Sequence, residues 1–350
     1  MGELEEIAER LENVVMGYEA KQPEGKKDGR FSYPFDRGVD RANQLKERLL
    51  KKYEGCDIAS ETGLETLKTE YGELLYGEKA VEKKLQKPET SEKDILSDLK
   101  LIYGIGEVRE RKLKERGYET VDDLLQHPRW GDRVSSLRER IGNQNPGRIY
   151  RVLSQWKRLS DPSFLTLSGM FRPRDFAFVD IETMGLSNQP IFLLGLAHPD
   201  GDLVRVHQFL ARDPRQEVAA LTAFTKHMDG RGLVLTYNGH RFDVPYIERR
   251  LEYYGINWEF TQPHLDLYRF AKDSLCRRTV NCKLGTVETS ILGIERDLDV
   301  PSSQVPDFYR TFIEEENPGP LLPILSHHRQ DMLSLVDLYK VLTEVKLDAN

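Results

Sequence analysis

Long apolar runs are missing from this chain, and their absence argues against a membrane-spanning protein. The longest apolar stretch, Ile191 to Ala197, is far shorter than the ~20 residues that a transmembrane helix needs. The opening residues, MGELEEIAERLE, are acidic where a secretory signal peptide is basic. We therefore expect a cytoplasmic protein with no membrane partner.

Cysteine is scarce, and its spacing excludes a zinc-finger type of site. Cys56, Cys276 and Cys282 are odd in number and lack the spacing of metal ligands. We expect them to be reduced thiols rather than part of a disulfide framework.

Charge is unevenly distributed along the chain. The 350 residues carry a net charge of -7, but Leu99 to Arg158 holds 14 Lys and Arg against 8 Asp and Glu, so that this segment is +6 and the remainder is -13. A basic segment next to an acidic remainder is typical of a phosphate-binding module joined to a metal-binding one. The alternative is that mixed charges only solvate helix faces.

The pattern of apolar residues divides the chain into three predicted parts. Residues 1–93 form a region of uncertain fold with helices at Glu3–Val15 and Asp40–Tyr53, a loop at Lys21–Arg30, short strands or an extended turn at Gly63–Glu78, and a charged linker at Lys79–Lys93. Residues 94–165 form a small helical domain. Residues 174–348 form an α/β domain.

The third part has the chain order of a ribonuclease-H-like fold. Three strand-like runs separated by turns, DFAFVDIE, PIFLLGLAH and DLVRVHQFL, predict an antiparallel meander. A helix, the strand GLVLTY, a second helix from Val244 to Tyr253 and a last helix from Ile324 to Leu342 follow. We expect a mixed sheet flanked by helices.

Two acids stand at the end of the first of these strands. Asp180 and Glu182 are two residues apart, so their side chains point to the same face of the strand. Two carboxylates so close repel each other unless a cation neutralises them. The alternative is an ordinary solvated strand end.

Two further acids follow in the chain. Asp243 enters a helix after the turn Asn238-Gly239, where a helix-capping role is the alternative. On the last helix His327 and Asp331 are four residues apart and share a face, which a surface His-Asp pair would also explain. A histidine near neutrality suits proton transfer from water.

In combination these residues resemble the DEDD superfamily of 3′–5′ exonucleases, the DnaQ-like enzymes, in its YprB-like branch. Asp180 to Thr183 match the first motif, Asn238 to Asp243 the second, and His327 to Asp331 the third. The segments PHLDLYR and CKLGTVETSILGI are similar to lesser signatures of that branch. The resemblance spans about half of the chain.

The resemblance implies hydrolysis with two divalent ions. Asp180, Glu182, Asp243 and Asp331 are the implied ligands of two Mg²⁺ or Mn²⁺ ions, and Asp266 is the implied auxiliary acid. Thr183, Asn238 and Phe242 are implied to seat the terminal nucleotide. His327 is the implied general base; because three residues separate it from Asp331, where the histidine subclass has four, His328 is the alternative.

The basic segment resembles a helix-hairpin-helix module. The run LIYGIGEVRERKLKERGYETVDDLL predicts a helix, a tight Gly-x-Gly turn and two more helices. Gly104 and Gly106 would present backbone N–H groups to a phosphate, and Arg109 and Lys112 extend the positive surface. The alternative is an ordinary connection between helices.

The expected function is removal of nucleotides from the 3′ end of single-stranded or unpaired DNA or RNA. Two alternatives stay open: a structure-specific endonuclease, and a catalytically inactive nucleic-acid-binding protein.

Overall fold

The structure is a computed structural model, and it describes residues 34–142, 145–296 and 300–347. The helix predicted at Glu3–Val15 and the loop predicted at Lys21–Arg30 lie outside the described residues. Among the residues it describes, no helix has the length and apolar character needed to cross a membrane.

The described part of the chain forms seven strands and thirteen α-helices, with short 3₁₀ turns and a π-helical turn at Glu288–Leu292 between them. The strands are β1 (Glu65–Thr69), β2 (Gly72–Glu82), β3 (Phe176–Thr183), β4 (Ile191–Asp200), β5 (Leu203–Leu210), β6 (Leu233–Thr236) and β7 (His264–Asp266). The helices are α1 (Pro34–Lys52), α2 (Ile58–Thr62), α3 (Glu92–Leu96), α4 (Glu107–Lys114), α5 (Gly131–Ile141), α6 (Pro146–Leu153), α7 (Pro162–Ser168), α8 (Glu217–Met228), α9 (Asp243–Tyr253), α10 (Leu267–Ser274), α11 (Leu284–Val287), α12 (Val305–Glu315) and α13 (Leu321–Leu347).

All seven strands belong to one mixed sheet in the order β1-β2-β5-β4-β3-β6-β7. The pairs from β1 to β3 are antiparallel, whereas β3, β6 and β7 are parallel. The predicted meander, the strand after it and the mixed sheet are therefore confirmed. The helices predicted at Asp40–Tyr53, Val244–Tyr253 and Ile324–Leu342 correspond to α1, α9 and the longer α13.

Both faces of the sheet are covered, which explains why its central strands are almost continuously apolar. Along β3, Ala177, Val179 and Ile181 belong to the core cluster that α8 and α9 complete. Phe176 and Phe178 belong to the opposite cluster, which contains α10 and α13. Because side chains alternate along a strand, Asp180 and Glu182 continue the row of Phe176 and Phe178 toward α13.

The first predicted region contributes directly to the sheet. The hairpin of β1 and β2 adds two strands, with Leu75 to Glu82 of β2 paired to Leu203 to Leu210 of β5. The predicted linker at Lys79–Lys93 is thus wrong at both ends, since its first four residues end β2 and its last two begin α3. On the other side of the sheet, α1 packs with α12 around Phe192 of β4.

The basic middle segment is helical, but not in the predicted pattern. The predicted helix before the Gly-x-Gly turn is only a 3₁₀ turn at Leu99–Leu101. The helix predicted to begin near Thr120 is also a 3₁₀ turn, at Asp122–Leu124. Residues of α5, α6 and α7 share the core cluster of α13. The Tyr150 hydroxyl of α6 donates to the backbone oxygen of His264 at 2.6 Å, which ties the segment to β7.

One expectation about cysteine is wrong. Cys276 and Cys282 form a disulfide with their Cα atoms 5.4 Å apart, across the turn that follows α10. Cys56 is a free thiol. A separation of six residues allowed this pairing, but spacing alone does not show which cysteines meet.

Candidate metal and nuclease site

Three of the predicted acids meet at one point. Carboxylate oxygens of Asp180, Glu182 and Asp331 all lie within 4.8 Å of one another. The first two side chains leave the end of β3 and the third leaves the middle of α13, which crosses the sheet behind them. The fold therefore brings together acids that are about 150 positions apart in the chain.

Gly195 is the reason why α13 can lie so close to the strands. It pairs directly with Asp180 across β3 and β4. A Cβ atom at Gly195 would lie 2.4 Å from Cε1 of His328 and 2.6 Å from the side chain of Met332, both on α13. The missing side chain thus leaves room for the helix that carries Asp331.

Asp243 lies beside these acids at the start of α9. Its carboxyl is buried and hydrogen-bonds to the backbone of Ile181, which stands between the two acids of β3. Its charge raises the pKa values of Asp180 and Glu182. It is not one of the three residues whose oxygens lie within 4.8 Å.

The electrostatics of the acids favour a bound cation. Burial, followed by repulsion from Asp331 and Asp243, raises the pKa of Glu182 to about 8. Burial raises the pKa of Asp243 to about 7. Burial and the same two acidic neighbours raise the pKa of Asp180 well above its ordinary value. Such shifts indicate ionised forms that lack sufficient positive charge nearby.

One cation does reach the site, and sequence reasoning missed it. Arg296 hydrogen-bonds to Asp331 and donates to Oε2 of Glu288 at 2.5 Å. Glu288 is fully buried. Arg296 lowers the pKa values of Asp180 and Glu182, but burial and repulsion outweigh it. An arginine 35 positions before Asp331 gives no local signal of this contact.

The two histidines occupy different surroundings. His327 is partly exposed, and its Nε2 lies 3.5 Å from Oδ2 of Asp331. His328 is fully buried: its Nε2 lies 3.2 Å from the backbone oxygen of Asp180, and its Nδ1 lies 3.1 Å from Nε2 of Gln208. These partners suit a neutral ring that accepts at Nδ1 and donates at Nε2. Burial lowers the pKa of His328 to about 3.

The part of the chain that carries these acids matches a known family. Residues 177–343 match the model of the RNase_H superfamily. These residues therefore form an RNase H-like domain, similar to the members of that superfamily. Members generally use divalent metals, and the acidic group described above is of the right chemistry to bind one.

Two known proteins show how far this likeness extends. The chain is 33% identical over 226 residues to YprB of Bacillus subtilis (strain 168), a match that covers 59% of this chain and about half, 52%, of that protein. The family B DNA polymerase from the hyperthermophilic archaeon Pyrobaculum calidifontis is 19% identical, with a TM-score of 0.39 over 48% of this chain and 24% of the polymerase. That second likeness is too distant to bear on fold or activity.

Hydrogen bonds to the carboxylate of Asp266 fix the backbone of the loop that precedes Asp243. The backbone N–H of Asn238 donates to Oδ1 of Asp266 at 2.7 Å, and the N–H of His240 reaches Oδ2 at 3.3 Å. Asn238 itself has φ +67°. Asp266 also caps α10 through the N–H of Tyr268. In the RNase H-like domain Asp266 therefore supports the loop and stands outside the group of three acids.

The predicted substrate contacts of the RNase H-like domain lie next to the acids. Thr183 follows Glu182 at the end of β3, and its hydroxyl donates to the backbone oxygen of Gly185 at 2.9 Å. Phe242 immediately precedes Asp243, and its ring packs on Tyr246 with centroids 5.1 Å apart.

The predicted phosphate contacts of the middle segment lie on one turn. Gly104 has φ +95°, a conformation that glycine adopts without strain, and Gly106 caps α4. Arg109 donates back to the carbonyl of Gly104, whereas Lys112 is exposed. The first turn of α4 contains Glu107 and Glu110, which oppose an anion at this helix end.

The donor set fits hard divalent cations. All donors at the group of three acids are carboxylate oxygens, the ligands that Mg²⁺ and Mn²⁺ prefer over softer metals. Burial, and after it repulsion between the acids, raises the pKa values of Asp180 and Glu182, and a bound cation would favour their ionised forms. Ligand identity and proximity thus agree with a divalent metal site.

Proposed function

We propose that this protein is a metal-dependent 3′–5′ exonuclease that removes nucleotides from single-stranded or unpaired nucleic-acid ends. One observation carries the proposal: oxygens of Asp180, Glu182 and Asp331 lie within 4.8 Å of one another in an RNase H-like domain. The order of these acids in the chain, and the motifs that contain them, favour a 3′–5′ exonuclease over other classes of nuclease.

In this proposal Asp180, Glu182 and Asp331 hold Mg²⁺ or Mn²⁺, and Asp243 completes the site directly or through water. Two such ions, when bound, neutralise charge on the phosphodiester and make water a better nucleophile. The chain keeps three carboxylates within 4.8 Å of one another, with Asp243 beside them, and such a group favours a bound cation.

We assign proton transfer to His327 rather than His328. His327 is partly exposed beside Asp331, where it can meet a water molecule. Both ring nitrogens of His328 have partners in the buried core, and its pKa is lowered to about 3. We infer that His328 positions Asp180 through the backbone.

We further propose that Thr183, Asn238 and Phe242 seat the terminal nucleotide and that residues 94–165 hold the strand leading to it. Thr183 follows Glu182 in β3, Phe242 precedes Asp243, and Asn238 begins the loop before Asp243. The middle segment supplies a surplus of positive charge in an acidic chain.

Digestion of matched oligonucleotides tests this function. A 5′-labelled single-stranded DNA and its RNA counterpart are incubated with wild type and with Asp180→Ala, each with and without Mn²⁺. The proposal predicts a ladder of shortening products that needs both Mn²⁺ and Asp180. Asp202→Ala, which removes an exposed acid paired with Lys84, is the matched control and is expected to cleave like wild type.

A single internal fragment would instead indicate an endonuclease. Absence of cleavage with retained binding would indicate an inactive binding protein. Equal cleavage by Asp180→Ala would contradict the site assignment.

A further inference from the structure

A basic cavity of about 410 Å³ opens beside the loop that leads to Asp243. Four cations line it, Arg158 from the end of the basic middle segment and Arg241, Arg269 and Lys272 from the RNase H-like domain. Asn238 and Asp273 are also at its wall. Such a concentration of positive charge stands out in a chain with a net charge of -7.

Three of these four cationic side chains are exposed, so that an anion in solution can reach them. Arg158, Arg241 and Lys272 are exposed, and no ion pair with a carboxylate is found for them in residues 34–142, 145–296 and 300–347. Arg269 lies 3.7 Å from Asp266, a longer contact than most ion pairs of the molecule. By contrast, Arg138 and Arg109 of the middle segment are engaged by Glu92 and by a carbonyl.

The cavity borders the loop that precedes one of the four acids, Asp243. Asn238 at its wall begins the loop that ends at Asp243, and its N–H is fixed by Asp266 at 2.7 Å. The charge of Asp243 in turn acts on Asp180 and Glu182. An extended anion bound in the cavity would therefore lie beside the loop that ends at Asp243.

We propose that this cavity binds the phosphodiester backbone of a single nucleic-acid strand just before it enters the acidic site. This inference rests on the proposed nuclease function and names the surface that grips its substrate. Guanidinium groups suit phosphate, and an aromatic ring, that of Tyr268, stands at the same wall with Nζ of Lys272 5.9 Å from its centroid.

The test measures binding without cleavage. In an Asp180→Asn background and in EDTA, anisotropy of a labelled single-stranded DNA oligonucleotide is followed over a range of salt concentrations. Arg158→Gln with Lys272→Gln is compared with Arg215→Gln with Lys226→Gln, a matched pair of exposed cations with Asp213 and Glu70 as surface partners.

Loss of two phosphate contacts should flatten the plot of log affinity against log salt by about 1.4, whereas the control pair should leave it unchanged. Asp273→Asn removes the acid at the wall and should tighten binding, which general damage to the fold cannot do. Inorganic phosphate should compete no better than chloride of equal ionic strength.

Equal slopes for the two pairs, or absence of oligonucleotide binding by the parent protein, would overturn the proposal. Strong competition by inorganic phosphate would also overturn it, since it would indicate a site for the free anion. Cleavage by the wild type is measured separately with Mn²⁺: cleavage with equal slopes rejects the cavity alone, and binding as expected without cleavage rejects the nuclease function alone.

Discussion

Asp180, Glu182 and Asp243 each bind a proton more tightly in the fold than in the unfolded chain. Burial raises their pKa values, to about 8 for Glu182 and about 7 for Asp243. Without metal these residues therefore destabilise the protein when they ionise. The close carboxylates that would bind a metal thus lower the stability of the metal-free protein.

The metal-free protein should become less stable as pH rises through the range in which these acids ionise. An acid whose pKa is raised by folding makes the folded state hold more protons, so stability falls from the unfolded pKa of 4.5 toward about 8 for Glu182. The buried His207 and His328, whose pKa values are lowered to about 4 and about 3, oppose this trend near pH 6.5, where a histidine of the unfolded chain titrates, and cease to contribute above about pH 7.5.

Urea unfolding in EDTA measured from about pH 7.5 to about pH 9 checks this expectation. Glu182→Gln should flatten the profile. A wild-type stability that rises over this range would contradict the assigned environment of the acids.

At the scale of elements, the approach of α13 to the sheet depends on Gly195. Gly195→Ala would drive a Cβ atom to 2.4 Å from His328 and so displace the helix that carries Asp331. Overpacking of this kind costs roughly 1–3 kcal/mol, and a displacement of about 1 Å in a catalytic group lowers rates by as much as ~100-fold.

Gly285→Ala is the matched control, since a Cβ atom there meets no other atom within 4 Å. Denaturant unfolding and Mn²⁺-dependent cleavage rates are the measurements. If both variants behaved alike, the contact between α13 and the sheet would not control the site.

Helix α9, which begins with Asp243, is anchored by a buried ion pair. Arg250 donates to Glu217 of α8 at 2.8 Å, and Glu217 also accepts the N–H of Ile191 at 2.8 Å and the hydroxyl of Tyr254 at 2.7 Å. Glu217 is completely buried. The pair fixes α9 against the start of β4.

Arg250→Met should destabilise the protein by about 3–5 kcal/mol, because it leaves the buried carboxylate of Glu217 without its cation. Thermal unfolding measures the loss. Arg249→Met on the exposed side of the same helix should change stability by less than about 0.5 kcal/mol. Adding Glu217→Gln to the Arg250→Met variant should recover part of the stability; no recovery would show that the charge of Glu217 is not the cause.

Helices and strands with a local pattern of apolar residues could be predicted from the sequence. Contacts between residues far apart in the chain could not. Strands β3 to β6 and helices α8, α9 and α13 follow from apolar periodicity, and the order of the four acids indicated a common site. The pairing of β2 with β5, the contact of Arg296 with Asp331 and the buried pair of Arg250 with Glu217 join residues far apart in sequence. Periodicity does not carry that information.

At the scale of the whole molecule, the first region and the α/β domain form one sheet. Strand β2 covers β5 along Leu203 to Leu210, so its removal would leave β5 as a long exposed edge strand. The middle segment also shares the core cluster of α13. The predicted division into three parts is therefore open to a direct test.

A fragment of residues 172–350 should aggregate or melt far below residues 34–350. The exposed edge of β5 and the uncovered core of α13 are the reasons. Size-exclusion chromatography and circular dichroism of the two fragments provide the measurement. A monomeric short fragment with an unchanged Tm would show that the α/β domain is independent.

The central claim is that Asp180, Glu182 and Asp331 form a site for divalent cations, and thermal unfolding under Mn²⁺ titration tests it most directly. Mn²⁺ at about 100 times its Kd should stabilise the wild type by roughly 2.7 kcal/mol. Asp180→Asn should have a higher Tm than wild type in EDTA and should not respond to Mn²⁺, whereas Asp202→Asn should respond like wild type. An Asp180→Asn variant that is less stable in EDTA and gains as much from Mn²⁺ as the wild type would contradict the account.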